Sequence, residues 1–413
     1  MDIQVEQVCP QCGAPVTLSE TDRLLTCPYC GVKNFLQTSG AFRYVLPDRV
    51  EELDRDHLLY APYIRLKSNV FQVSDTGITY RIIDTTQLGF IMPGLPPSLG
   101  MRPQAMKLGR LTPQTKGQFL RLSVKAKVIL EKAVKLTRLA TNVGNTLYHR
   151  SFIGDTLSFI YLPLNRDETD LYDSVTDTPL IELDKVASYP LKGMSFNPRW
   201  QVHFLPTLCP RCGWSLDGEG DCLVLPCSNC DTVWEIGAHG LQQIEWQIQP
   251  GDEQTRLYLG FWKVSAHVPS MNIFSFADFI QRTNQPMIPR PQWNDRVMSF
   301  WIPAFKLRPK IFLQIGLQVT ISQWRLHPED GHYVPNLYPV TLPKTEARQA
   351  IKIILAACAT SRKNIFPFLP QTRIKNATKS LVYLPFDDRG HDWVQPQTGA
   401  VISKSVLHFG RSL

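Results

Sequence analysis

The apolar positions of this chain follow two periods. Ile78-Thr79-Tyr80-Arg81-Ile82-Ile83 is rich in β-branched and aromatic residues, and Leu313-Gln314-Ile315-Gly316-Leu317-Gln318-Val319-Thr320-Ile321 alternates strictly. Both patterns predict half-buried strands, whose side chains point to opposite faces in turn. The helical period occurs twice. After Ser123 and up to about Ala140, the residues Val128, Ile129, Ala133, Val134 and Leu136 make one broad apolar face. After Thr345 and up to about Thr360, Ala350, Ile351, Leu355, Ala356 and Cys358 repeat those spacings. Ser123 and Thr345 are residue types that favour a helix N-cap. The fold class expected is α+β, an antiparallel sheet with one helix packed on it.

The two helices are one of several correspondences that recur in the same order. Four cysteines with intervals of 2, 14 and 2 residues appear at Cys9, Cys12, Cys27 and Cys30, and again 200 positions later at Cys209, Cys212, Cys227 and Cys230. Leu59-Tyr60-Ala61-Pro62-Tyr63-Ile64-Arg65 lines up with Leu257-Tyr258-Leu259-Gly260-Phe261-Trp262-Lys263, and Phe90-Ile91-Met92-Pro93 with Phe300-Trp301-Ile302-Pro303. Arg102-Pro103 precedes Arg308-Pro309, and Phe159-Ile160-Tyr161-Leu162-Pro163-Leu164 matches Leu381-Val382-Tyr383-Leu384-Pro385-Phe386. The offsets range from 198 to 222, as they do when surface loops differ in length. An internal duplication is expected. Residues 1–40 are a first metal ribbon, 41–190 a first α+β module, 200–240 a second ribbon and 241–413 a second α+β module, with an extended connection over 185–205.

Composition narrows the class. Of 413 residues, 43% are apolar and 19% charged, enough for packed cores and against wholesale disorder. The 32 prolines favour short strands and loops over long helices. No membrane-length apolar run and no leader pattern is visible at Met1, so the expected location is cytoplasmic.

In a reducing compartment, paired Cys-x2-Cys turns read as metal sites rather than disulfides. In Cys9-Pro10-Gln11-Cys12-Gly13, Cys27-Pro28-Tyr29-Cys30-Gly31 and Cys209-Pro210-Arg211-Cys212-Gly213, proline sets φ early and glycine can take a positive φ, which frees backbone N–H groups for the thiolates. Cys227-Ser228-Asn229-Cys230-Asp231 departs from this, with Asp231 in the glycine position. Asp tolerates the left-handed region better than most residues. These eight cysteines are the expected ligands of two structural zinc ions; four thiolates in a rubredoxin-like iron site remain an alternative. Cys222 and Cys358 fall outside the pattern. The knuckles resemble those of the zinc-ribbon superfamily over about 25 residues in each half. The later Tyr-Ala-Pro-Tyr-Ile-Arg and Tyr-Leu-Pro strands are similar to those of uncharacterised bacterial tandem zinc-ribbon proteins. That resemblance implies metal binding and no particular activity.

Charge is uneven. Residues 101–150 carry 11 basic residues and one acid, Glu131; residues 344–379 carry eight basic residues and one acid, Glu346. Both windows are expected to form exposed positive surface, able to meet nucleic acid, an anionic membrane or an acidic protein. No phosphate-binding loop, dinucleotide turn, nucleophile elbow or metalloprotease helix is present. One polar loop, Asp387-Asp388-Arg389-Gly390-His391-Asp392, could hold a cation or set His391 beside a carboxylate, but is read first as a turn between strands. No catalytic residue is assigned. The leading expectation is a non-catalytic zinc scaffold or adaptor that binds another protein. The alternatives are a nucleic-acid-binding protein using the two basic windows and an iron electron carrier.

Overall fold

The structure is a computed structural model that describes residues 3–49, 52–136, 146–186, 191, 193–237, 240–252 and 255–410. The chain divides into two compact units. The first comprises Met1–Lys67, Ile83–Leu136 and Thr156–Thr207, the second Ser68–Ile82, Thr137–Asp155 and Leu208–Leu413. Segments 68–82 and 137–155, placed by sequence with the first α+β module, are thus grouped with the second unit. The class is α+β. Among the described residues no helix is long and apolar enough to cross a membrane.

The first unit begins with hairpin β1 (Gln4–Val8) and β2 (Pro15–Ser19), followed by β3 (Leu24–Thr26), β4 (Lys33–Gln37) and β5 (Phe42–Val45). The long strands β6 (Leu59–Ser74) and β7 (Gly77–Leu88) follow, then the one-turn helix α1 (Arg102–Ala105), β8 (Lys107–Arg110), β9 (Gln118–Phe119), helix α2 (Ala126–Leu136), β10 (Leu147–Arg166), β11 (Asp170–Asp173), β12 (Thr178–Glu182) and β13 (His203–Pro206). Of these strands, 68–74 of β6, 77–82 of β7 and 147–155 of β10 belong to the second unit. The main sheet runs β12-β11-β10-β5-β8-β1-β2, with β6 also pairing β10. The end of the expected connection is itself a strand, because β13 adds to β4 in antiparallel register, His203 opposite Gln37.

β6 is buried along its whole length, including Arg65 and Lys67. Glu20, 2% exposed, faces both cations: its Oε1 lies 3.2 Å from the Arg65 guanidinium and 3.0 Å from Lys67 Nζ. Asp84 pairs with Arg65 from the other side. A buried charge needs partners of this kind.

The second unit carries β14 (Val224–Pro226), β15 (Val233–Gly237), β16 (Gly240–Ile244), β17 (Trp246–Ile248), β18 (Thr255–His267), α3 (Phe276–Arg282), β19 (Ser299–Pro303), α4 (Pro309–Ser322), β20 (Glu329–Asp330), α5 (Lys344–Cys358), α6 (Arg362–Ile365), β21 (Lys375–Arg389), β22 (Asp392–Val394), β23 (Val401–Ser403) and α7 (Lys404–Gly410). Its core is aromatic and aliphatic, with Trp262, Phe261, Phe300, Trp301, Ile351 and Ile354 fully enclosed.

Several registers recur between the units. β5 runs parallel to β10, with Val45 opposite Tyr161, and β17 runs parallel to β21, with Ile248 opposite Tyr383. The next residue bonds the same carbonyl in each: Leu46 N donates to Tyr161 O at 3.1 Å, and Gln249 N to Tyr383 O at 2.8 Å. β10-β11-β12 and β21-β22-β23 are antiparallel series that turn alike. Asp177 N donates to Asp173 O and Gly399 N to Gln395 O, and Asp177 and Gly399 both have positive φ. Arg102-Pro103 and Arg308-Pro309 each begin a helix with proline in its first turn, α1 of four residues and α4 of fourteen.

Three local expectations are corrected. Leu313–Ile321 is helix α4, not a strand. Its buried positions Pro309, Phe312, Leu313, Ile315, Gly316, Val319 and Thr320 follow the helical period, and the strict alternation of residue types arises because this helix is apolar over a wide arc. Pro309 at the N-terminus was the helix signal. Neither proposed N-cap acts as one. Ser123 Oγ accepts from Ile91 N at 3.0 Å while α2 starts at Ala126, and Thr345 lies inside α5, whose N-cap is Pro343. Phe90–Pro93 is irregular, whereas its counterpart Phe300–Pro303 lies in β19. The helix faces behave as expected at Ile129, Ala133, Val134, Ala350, Ile351, Leu355, Ala356 and Cys358, all buried, but Val128 is exposed. The expected end of the first helix, 137–140, lies outside the described residues.

Candidate metal centres

Each Cys-x2-Cys turn folds in the same way. The first cysteine's carbonyl accepts from the residue four positions on: Gly13 N to Cys9 O at 3.0 Å, Gly31 N to Cys27 O at 3.0 Å, Gly213 N to Cys209 O at 2.8 Å and Asp231 N to Cys227 O at 3.1 Å. Those residues have φ of 73°, 71°, 75° and 58°. Asp231 therefore takes the left-handed conformation that the other three leave to glycine. Its carboxylate accepts from Tyr333 N at 2.7 Å and its carbonyl from Trp246 Nε1 at 2.8 Å, which hold it there.

The turns bring all eight predicted ligands together in two sets of four. Within Cys9, Cys12, Cys27 and Cys30, and within Cys209, Cys212, Cys227 and Cys230, every Sγ lies within 4.8 Å of the others. The sulfur–sulfur edges include 3.7 Å for Cys9–Cys30 and Cys12–Cys27, 3.6 Å for Cys209–Cys230 and 3.5 Å for Cys212–Cys227. A tetrahedral ion with metal–sulfur bonds near 2.3 Å requires edges of about 3.8 Å. The sulfurs are too far apart for disulfides, and none of the ten cysteines is in one. Cys9, Cys27, Cys209 and Cys227 are buried, while Cys12, Cys30 and Cys212 are exposed, so each set lies at a surface with one side closed.

The thiols prefer unequal protonation when only protein surrounds them. Backbone N–H groups, first that of Cys30, draw Cys27 down to about 6. Cys209 also falls to about 6: burial opposes this, but hydrogen bonds from Thr232 and the Cys212 amide outweigh it. Burial pushes Cys227 up to about 12. Four ionised sulfurs within 4.8 Å need a cation to offset their repulsion, and a divalent ion supplies that charge.

Sequence reasoning missed Thr232. Its Oγ1 lies 3.5 Å from Cys209 Sγ and 3.1 Å from Cys230 Sγ, and accepts from Trp234 Nε1 at 2.9 Å. A thiolate can only accept, so the one hydroxyl proton can be donated to either of these sulfurs once they are ionised, an outer-shell contact that stabilises a thiolate. Val32 holds the equivalent position in the first ribbon, so a hydroxyl residue two places after the last ligand was the available signal. Cys222 and Cys358 are buried outside both sets, and Cys358 sits in the second unit's core with its thiol pushed up by burial.

The basic windows divide. Arg102 pairs with buried Asp173, and Arg110 is buried with its guanidinium 4.5 Å from the Phe42 ring, so these two face inward. Arg121, Lys125, Lys127 and Lys132 on and before α2 are exposed. The 387–392 loop is the turn of the β21–β22 hairpin, where Asp388 accepts from Gly390 N and pairs with Lys404 at 2.7 Å. No protein-family model, no curated protein and no solved structure matches this chain.

Proposed function

We propose that this protein is a non-catalytic zinc scaffold built from two homologous halves of zinc-ribbon type, serving as an adaptor for another protein. The observation that carries the reading is the pair of four-sulfur sets, each with every Sγ within 4.8 Å and each able to close a tetrahedral shell. A closed shell of four thiolates leaves no position for substrate or activated water. The shared parallel registers at Tyr161 and Tyr383 support common descent of the halves. Adaptor function is supported by apolar side chains displayed beside the knuckles. Val8 and Tyr29 flank the first site at 57% and 71% exposure, and Leu208 and Trp214 flank the second at 55% and 57%. Val8 and Leu208 occupy equivalent positions directly before the first ligand. Exposed aromatic and aliphatic residues on a rigid turn are the material of protein interfaces.

Zinc-edge X-ray absorption of the purified protein tests the closed shell. Four sulfur neighbours near about 2.3 Å are expected. Sulfur mixed with oxygen neighbours would mean an open position and contradict a purely structural role. For the adaptor reading, Tyr29→Ser and Trp214→Ser should reduce cross-linked partner recovered from native cells without loss of zinc.

A second reading rests on the exposed Arg121, Lys125, Lys127 and Lys132, with Glu131 as the acid among them. Through this face the protein would bind nucleic acid, with affinity that falls steeply as salt rises. Titration of DNA and RNA at low and physiological salt separates the readings. An iron electron carrier would instead be coloured and redox-active.

A further inference from the structure

Within the second unit, a cavity of about 330 Å3 lies between β10 and α5. The two basic windows of the sequence meet there: Arg150 ends the first, and Arg348 and Lys352 belong to the second. Arg348 and Lys352 are four residues apart on α5 and so share a face. Ser151 Oγ donates to Gln349 O at 3.1 Å and fastens the strand to that helix. No carboxylate lines the cavity among the described residues. Arg348 donates to Ile374 O at 3.2 Å and Lys352 to Leu369 O at 2.9 Å, which aims both side chains while leaving each further N–H donors. His149 adds an Nε2 that is buried and has no hydrogen-bond partner. Burial, together with the Lys352 charge, lowers the His149 pKa to about 4, so the ring is a neutral hydrogen-bonding group near pH 7 and not a further cation. Phe152 and Ile374 supply apolar wall.

We propose that this cavity binds a small organic phosphate, with Arg348, Lys352 and Arg150 surrounding the phosphate, His149 bonding one of its oxygens, and Phe152 and Ile374 covering the organic part. A doubly charged group is the simplest occupant that balances Arg348 and Lys352, the two cations that α5 sets into a cavity whose described lining holds no carboxylate. The planar fork of arginine suits phosphate oxygens. The volume suits a molecule of metabolite size.

The test is calorimetric titration of the full chain at low salt with three probes: phenyl phosphate, inorganic phosphate and benzoate. Phenyl phosphate is expected to bind with Kd of about 1 mM or tighter. Inorganic phosphate should bind several-fold more weakly for lack of the ring, and benzoate most weakly for lack of the second charge. Arg348→Ala and Lys352→Ala should each weaken phenyl phosphate about tenfold, and Arg348→Lys should restore part of the loss. Lys363→Ala, in the same basic window but outside the cavity, should change nothing. Unchanged melting temperatures show that the variants fold. Absence of phenyl phosphate binding overturns the proposal, as does an equal loss in Lys363→Ala. Displacement of phenyl phosphate by a tighter-binding oligonucleotide, lost in the same variants, also overturns it, because the cavity would then be part of a polyanion surface.

Discussion

Glu20 holds two buried cations, Arg65 and Lys67, so its loss is felt at both. Replacing it with alanine removes one buried partner from both Arg65 and Lys67, and breaking a buried ion pair by deleting one partner costs about 3–5 kcal/mol. Denaturant unfolding of Glu20→Ala should show a loss of that size, whereas the exposed pair Lys185–Glu182 should give under about 1 kcal/mol when broken. Glu346 makes the opposite kind of prediction. It is 9% exposed, accepts from Gly154 N, and faces the Asp155 carboxylate and Lys306. Burial first, and then Asp155, raise its pKa from 4.5 to about 7. The folded chain therefore holds a proton that the unfolded chain releases, so stability falls as pH rises from about 4.5 to about 7. The shift corresponds to about 3 kcal/mol. Glu346→Gln should melt higher than wild type at pH 8 and nearly the same at pH 5; equal melting at both would refute the assignment.

Among the elements, the fourth knuckle is the informative exception. Asp231 has a φ of 58°. An alanine there keeps the strain of the left-handed region, about 1–2 kcal/mol, and loses the carboxylate bond to Tyr333 N. Asp231→Gly loses the same bond but relieves the strain. Thermal melts should therefore rank Asp231→Ala well below both Asp231→Gly and wild type. Element identity was legible where residue type and spacing act locally. The cysteine turns, the β-branched stretch at Ile78–Ile83 and the two amphipathic helices all follow from neighbours within a few positions. Leu313–Ile321 misled because its alternation and its helical period coexist, and Gly316 hides the reason it is a helix. A side chain at Gly316 would come within 2.5 Å of Ile354 Cδ1, so the glycine lets α4 lie close on α5. That contact joins residues far apart in sequence, and no local pattern reports it.

At the scale of the whole molecule, the candidate metal site was almost fully legible and the rest of the chemistry was not. Eight ligand positions follow from spacing, because a Cys-x2-Cys turn carries its own geometry. Arg65 looked like one residue of a strand motif until Glu20 and Asp84 were brought beside it, and Arg110 looked like surface charge until the rings of Phe42 and Tyr44 enclosed it. His149 gave no signal at all, since its surroundings come from α5, some 200 residues later. The central claim is that each half is held by its own metal ion. Elemental analysis of the wild-type chain, of Cys27→Ser and of Cys227→Ser tests it most directly, because structural zinc contributes folding free energy and each site draws on its own four sulfurs. Two zinc ions in the wild type and one in each variant is the expected result; less than one metal per chain, or iron in place of zinc, would contradict it.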